Sequence, residues 1–267
     1  LWLVRHGESE GNVASKRSKA GDSSAFTPEF RRRHSSKWRL TDRGIWQAEQ
    51  AAICLAAEGL VEPERKYTSD YLRAKETALH LGLGDGWMSE FYLRERDWGA
   101  LDSMPQAERH ERFGTELAKR EIDGFYWAPP GNPSQSMADL CLRADRVFDT
   151  LHRECGRMDD VVIVCHGEVM WAIRVRLERL SQRRFRELEL SDNPFDHIHN
   201  CQIIQYTRVI PRSEFVTSRM HSMRSICPWD TKLSSNIWQP IERKTLTLED
   251  LRHELELTPR LLNNPSG

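Results

Sequence analysis

Val161-Val162-Ile163-Val164-Cys165-His166-Gly167-Glu168 is a run of five apolar residues that stops abruptly at a histidine and a glycine. A run apolar at every position reads as a strand covered on both faces, the situation of a parallel sheet rather than of a one-sided antiparallel one. A second stretch has the same form: Leu1-Trp2-Leu3-Val4, then Arg5-His6-Gly7-Glu8. Helical and strand-like segments alternate between the two. Thr41 is a candidate N-cap ahead of an apolar stripe of Ile45, Ala48, Ala52, Leu55 and Ala56 that should end near Gly59. Residues 66–69 read as a strand, 71–81 as a helix and 86–93 as a strand. Helices follow over about 105–119 and 136–155, parted by Ala128-Pro129-Pro130-Gly131-Asn132-Pro133, and another over about 169–180. This alternation predicts an α/β fold: a three-layer sandwich with a mostly parallel central sheet flanked by helices.

If the two histidine-ending strands are neighbours, both imidazoles emerge at the carboxyl edge of the sheet, where ligands of open α/β folds gather. A solitary strand-end histidine is ordinarily structural. Two in the same context, with Arg5 before the first, point to a site. Beyond Asn200, residues 201–206 read as a further strand, and the tail past about 212 is mixed, with one helix over about 248–257. Residues 13–39 are polar and aperiodic, with basic clusters at Lys16-Arg17-Ser18-Lys19 and Arg31-Arg32-Arg33-His34, and are expected to form a long basic loop. The expected organisation is one catalytic domain over 1–212 and an extension over 213–267 that packs on it or trails from it.

The 267 residues are enough for one or two domains with a sizeable core, and 39% hydrophobic against 30% charged is the balance of a water-soluble globule. No apolar run approaches the roughly 18 residues that cross a bilayer, so no membrane partner is expected. A net charge of −1 offers no field for nucleic acid. Of the 39 cations 31 are arginine, an excess best explained by genome composition. Six cysteines without a C-x-x-C pair read as reduced thiols of a cytoplasmic protein. The chain opens at Leu1, already inside an apolar stretch, so a short preceding segment is expected and a removed signal peptide stays open. His197-Ile198-His199 beside Asp196 has metal-like spacing, but without a further ligand its expected role is structural.

Leu3-Val4-Arg5-His6-Gly7-Glu8-Ser9 with Asn12 resembles the signature of the histidine phosphatase superfamily, the branch that includes the cofactor-dependent phosphoglycerate mutases. The resemblance continues through Leu40-Thr41-Asp42-Arg43-Gly44 with Gln47-Ala48, Ser69 with Arg73-Ala74 and Thr77-Ala78, Leu93-Arg94-Glu95 with Gly99, and His166-Gly167. It implies a phosphoglycerate mutase-like fold and an enzyme in which His6 accepts a phosphoryl group. Arg5, Arg73 and His166 would surround its oxygens, and Glu95 would serve as general acid and then base. Asn12 would add a neutral donor, with Ser9 and Gly167 as further substrate-binding positions. No metal or other cofactor is implied, because arginine and histidine supply the electrostatics that Mg²⁺ provides elsewhere. The cations Arg5 and Arg73 should keep His6 neutral, and a bound phosphate dianion should raise the Glu95 pKa and give a mildly acidic optimum.

Read by their residues alone, these positions keep alternatives. Arg73 on a helix is ordinarily solvated or paired with an acid such as Asp70, Asp97 or Glu8 competes with Glu95 as the acid, and Glu168 is a candidate supporting residue. Where mutases carry two adjacent arginines for the substrate's second acidic group, this chain has Ile122-Asp123, and the acid should repel a carboxylate there. Residues 117–126 look more like the bisphosphatase half of the fructose-2,6-bisphosphate enzymes, and Gly131-Asn132-Pro133-Ser134-Gln135-Ser136 stands where the family has Gly-Glu-Ser. Hydrolysis of a small phosphorylated metabolite is therefore the favoured reading, ahead of a mutase-type transfer and of a non-catalytic phospho-ligand binder. For residues 13–39, a lid that carries Lys16, Arg17 or Arg31–Arg33 to a second phosphate and an ordinary solvated loop both stay open, as does a homodimer.

Overall fold

The computed structural model describes residues 1–156, 159–210, 213 and 215–262. Seven strands form one sheet in the order β3-β2-β4-β1-β5-β6-β7, with β1 Trp2–Arg5, β2 Arg65–Thr68, β3 Trp87–Ser89, β4 Val161–Cys165, β5 Ile203–Thr207, β6 Ser222–Ile226 and β7 Gln239–Pro240. From β3 to β1 the neighbours run parallel, and from β1 onward they are antiparallel. The sheet is thus mixed, and its parallel half carries the two histidine-ending strands. β4 lies at the centre of that half with every residue buried, as its unbroken apolar run requires.

Period-two alternation assigns the faces. Leu3, Ile163, Ile204 and Tyr206 pack against α6 (Met137–Glu154) and α7 (Gly167–Glu178). Trp2, Val4, Val162 and Val164 pack on the other face against α3 (Asp42–Ala57) and α4 (Leu72–His80). These are the three layers expected from the sequence. Thr41 caps α3 through the Gly44 N–H, as anticipated. The strand expected over 86–93 stops at Ser89, because the Glu90 side chain accepts the Tyr92 N–H and turns the chain into a 3₁₀ turn. Beyond 212, β6 and β7 continue the sheet, and a helix over Leu248–Leu257 follows. No described helix is long and apolar enough to cross a membrane.

Residues 13–39, expected as a basic loop, contain two α-helices. α1 spans Glu10–Lys19 and starts from a capping box between Ser9 and Asn12, and α2 spans Pro28–Arg32 behind a Thr27 cap and a proline in its first turn. No apolar stripe announces either helix: α1 buries Ala14 and Ser18, and α2 buries nothing. The segment is fastened by Arg39, whose fork holds Glu76 of α4 at 2.8 and 2.6 Å, and by an Arg31–Glu108 ion pair of 2.7 Å to α5 (Gln106–Asp123).

Candidate active site

In the parallel register Arg5 stands beside Cys165, so the residues that follow, His6 and His166, leave the sheet side by side. Their rings sit 5.0 Å apart, and Ser69 joins them from the end of β2 through its N–H to Val164 O, 3.0 Å. His6 is 2% exposed, and its Nδ1 lies 2.7 Å from the Gly7 carbonyl. A carbonyl only accepts, so Nδ1 carries the proton and Nε2 holds the lone pair. That lone pair meets Arg73 Nε at 3.1 Å. Burial first, then the Arg73 and Arg5 cations, hold His6 well below the usual histidine range, so it is neutral at pH 7.

Arg73 projects from α4 and is buried, with Nη1 donating 2.8 Å to the Ser35 carbonyl. The 13–39 segment therefore helps to set the guanidinium. His166 is fully buried and does not itself line the cavity. Ser69 Oγ accepts the Tyr71 N–H at 3.3 Å and lies 2.8 Å from His166 Nε2, within hydrogen-bond distance. Among the described residues His166 Nδ1 has no hydrogen-bond partner, and it stands 3.9 Å from Glu95 Oε2. Arg5 Nε is likewise buried without a partner, while Nη1 is tied to the Ile198 carbonyl at 2.5 Å. Arg5 passes over Gly167, where a Cβ would stand 3.4 Å from Arg5 Nε, an ordinary contact.

Glu95 accepts the Arg96 N–H at 2.9 Å, and burial lifts its pKa from 4.5 to about 6, against the pull of Arg73. The rise is thus present before any phosphate binds. Arg143, missed in the sequence because nothing marks it within α6, donates to the carbonyls of Tyr92, Arg94 and Glu95 and so holds the loop that carries Glu95. Arg96 is buried over Trp98 and bonded to Glu168 at 3.2 Å, which makes Glu168 a partner of the loop. Of the competing acids, Glu8 is bound to Thr41 Oγ1 at 3.0 Å and Asp97 to Arg94 at 3.4 Å, and neither lines the cavity.

Arg5, His6, Ser9, Asn12, Arg73, Glu95 and Gly167 all line one cavity of about 740 Å³. Ser9 is engaged in the α1 cap, and Asn12 Oδ1 accepts from Ser9 and from Asn200, a residue with no sequence signal, so the Asn12 amide NH₂ is its free end. Ile122 and Asp123 lie exposed at the end of α5, outside the cavity, so the expected repulsion of a carboxylate does not operate; Arg120 lines it in their place. Lys16, Arg17 and Arg31–Arg33 do not line it either. His197 and His199 stack at 6.1 Å, and each ring nitrogen that bonds meets a backbone carbonyl, a structural role. His6, Glu95 and His166 place their ligand atoms within 4.8 Å of one another, but Arg5 and Arg73 in the same cluster favour an anion over a cation. A larger cavity of about 1180 Å³ at the opposite edge of the parallel strands contains none of these groups.

The model of the histidine phosphatase superfamily (branch 1) matches residues 1–199. The chain belongs to this superfamily. Among its relatives, a protein of Azorhizobium caulinodans named 2,3-bisphosphoglycerate-dependent phosphoglycerate mutase is 30% identical over 200 residues, 72% of this chain and 87% of that protein. A mycobacterial glucosyl-3-phosphoglycerate phosphatase, solved with vanadate, superposes with a TM-score of 0.59 at 24% identity, over 78% of this chain and 92% of that one. The α-ribazole phosphatase of Shigella flexneri gives 0.58 at 19% identity, over 82% and 94%. These superpositions establish the phosphoglycerate mutase-like fold.

Proposed function

We propose that this histidine phosphatase hydrolyses a small phosphomonoester through a phosphohistidine on His6, with Glu95 as proton donor and then acceptor. The observation that carries the reading is a neutral His6 with its Nε2 lone pair set among Arg5, Arg73 and Glu95. Nε2 attacks phosphorus, the ester P–O bond breaks, and Glu95 gives its proton to the departing oxygen. Arg73 Nε–H passes from the lone pair to a phosphoryl oxygen, where Arg5 Nε–H converges as a second charge-assisted donor, with the His166 ring packed behind the His6 imidazole. The Gly7 carbonyl facing Nδ1–H stabilises the positive charge gained by the ring. In the second half Glu95, now a carboxylate, takes a proton from water; the water oxygen bonds to phosphorus, and the N–P bond returns its electron pair to Nε2. The alcohol and inorganic phosphate leave.

Hydrolysis is preferred because no adjacent arginine pair faces the cavity where a mutase would grip its second acidic group. The second reading, mutase-type transfer, rests on the 30% identity to proteins named as mutases. Phosphate release from a panel of phosphomonoesters, with acid-labile, alkali-stable label on the wild type and none on His6→Ala, tests the mechanism. Isomerisation of 3-phosphoglycerate primed with 2,3-bisphosphoglycerate that outruns phosphate release decides for the mutase. Tight binding of phosphate without turnover of any ester would make the chain a binder.

A further inference from the structure

Outside the phosphoryl end, the cavity has a wall that its sequence does not advertise. The 13–39 segment keeps most of its cations away from the cavity and lines it with Phe26, Phe30 and Trp38, Phe30 stacked on Trp38 at 4.8 Å. Trp98 and Leu117 come from the segment after β3 and from α5. Phe30, Trp98 and Leu117 are only half-buried, so they keep apolar surface to offer. Charge in this part nearly cancels: Lys19, Arg109 and Arg120 face Asp102 and Glu189. Arg120 is bound to Glu189 and Arg109 donates 2.8 Å to the Met104 carbonyl. Among the described residues that leaves Lys19, exposed at the rim, as the one cation of the three without a bonded partner. Trp38 Nε1 is a buried donor with no partner among the described residues, in a side chain only 8% exposed.

Resting on the phosphatase reading, we propose that the substrate is the phosphomonoester of an apolar, ring-bearing alcohol with a hydrogen-bond acceptor, its ring against the Phe30 and Trp98 surfaces and its acceptor toward Trp38 Nε1. A bisphosphate or phosphoglycerate is the poorer fit, since its second anion would meet a nearly neutral aromatic wall. Burying one ring is worth about thirtyfold in kcat/KM.

The comparison is between 2-phenylethyl phosphate and ethyl phosphate, whose leaving alkoxides are alike, with 3-phosphoglycerate and fructose 1,6-bisphosphate alongside. The expected kcat/KM for 2-phenylethyl phosphate exceeds that for ethyl phosphate by about thirtyfold, mostly through KM, and exceeds both acidic substrates. Phe30→Leu and Trp98→Leu, which keep an apolar side chain but remove the ring, should each shrink that ratio about fivefold. A ratio near one, a ratio unchanged in both variants, or preference for either acidic substrate overturns the proposal. If no ester releases phosphate, the phosphatase reading fails by itself, and calorimetry then decides the subsite: tighter binding of 2-phenylethyl phosphate than of ethyl phosphate sustains it, and equal binding overturns it.

Discussion

Replacing Glu95 with glutamine should stabilise the protein while stopping turnover. Burial raises the Glu95 carboxyl from 4.5 to about 6, net of the attraction of Arg73 and Arg5. In the unfolded chain the carboxyl keeps its ordinary value, so the native state holds the proton more tightly and ionisation of Glu95 opposes folding. The penalty is absent below about pH 4.5, grows between 4.5 and 6, and is complete above 6. A gap of about 1.5 pH units corresponds to roughly 2 kcal/mol. Glutamine has the same shape and keeps an oxygen for the Arg96 N–H, but carries no charge. Thermal unfolding at pH 7.5 should give Glu95→Gln a Tm higher than wild type by roughly 4–8 °C, and the two curves should coincide at pH 4.5. Turnover of an alkyl phosphate should fall by about 10²–10⁴, the usual worth of a positioned acid. A variant less stable at pH 7.5, or a gain that persists unchanged at pH 4.5, would refute the assignment of a raised pKa to burial.

Three further outcomes follow from the same geometry. With Glu95 near 6, its protonated fraction rises from about one eleventh at pH 7 to about ten elevenths at pH 5, so kcat for an alkyl phosphate should climb roughly tenfold on acidification, with His6 and His166 held well below the usual histidine range by burial and the neighbouring cations; bound phosphate moves this limb toward neutrality, and a profile flat from pH 5 to 8 in wild type rejects the role. Arg73→Lys removes a fork that serves His6 Nε2 and the Ser35 carbonyl together, and kcat/KM should drop by about 10²-fold with the circular dichroism unchanged; a loss below threefold contradicts the reading. Gly11→Ala would set a Cβ 2.3 Å from the Trp38 ring, so the aromatic wall must shift, Tm should fall by the equivalent of about 1–3 kcal/mol, and KM for a ring-bearing ester should rise in steady-state kinetics.

Much of the fold was legible because its signals are local. The unbroken apolar run of β4, the Thr41 cap and the helical stripe of α3 need only neighbouring residues to be recognised. The identity of the inner site was legible for a related reason: His6 and His166 each follow a strand, and parallel pairing brings two strand ends together without further specification. α1 and α2 were not legible, since capping rather than an apolar stripe defines them. β6 was missed within a mixed tail, because its Ser222-Met223-Arg224-Ser225-Ile226 alternates too weakly to declare a buried face before β5 is present beside it.

Local patterning was enough to assign the α/β class, the two histidines at the sheet edge and the residue types gathered there. Folding sets how those residues stand: Ser69 meets His166 Nε2, the Ser35 carbonyl holds Arg73, Arg143 clamps the Glu95 loop, and a partly helical segment presents aromatic rings where a basic loop was expected. The physical reason is range. Strand and helix patterns arise between residues a few positions apart, whereas the bonding of a buried histidine, a buried carboxyl's pKa or the lining of a cavity depends on groups 30 to 100 positions away that only folding brings within hydrogen-bond distance.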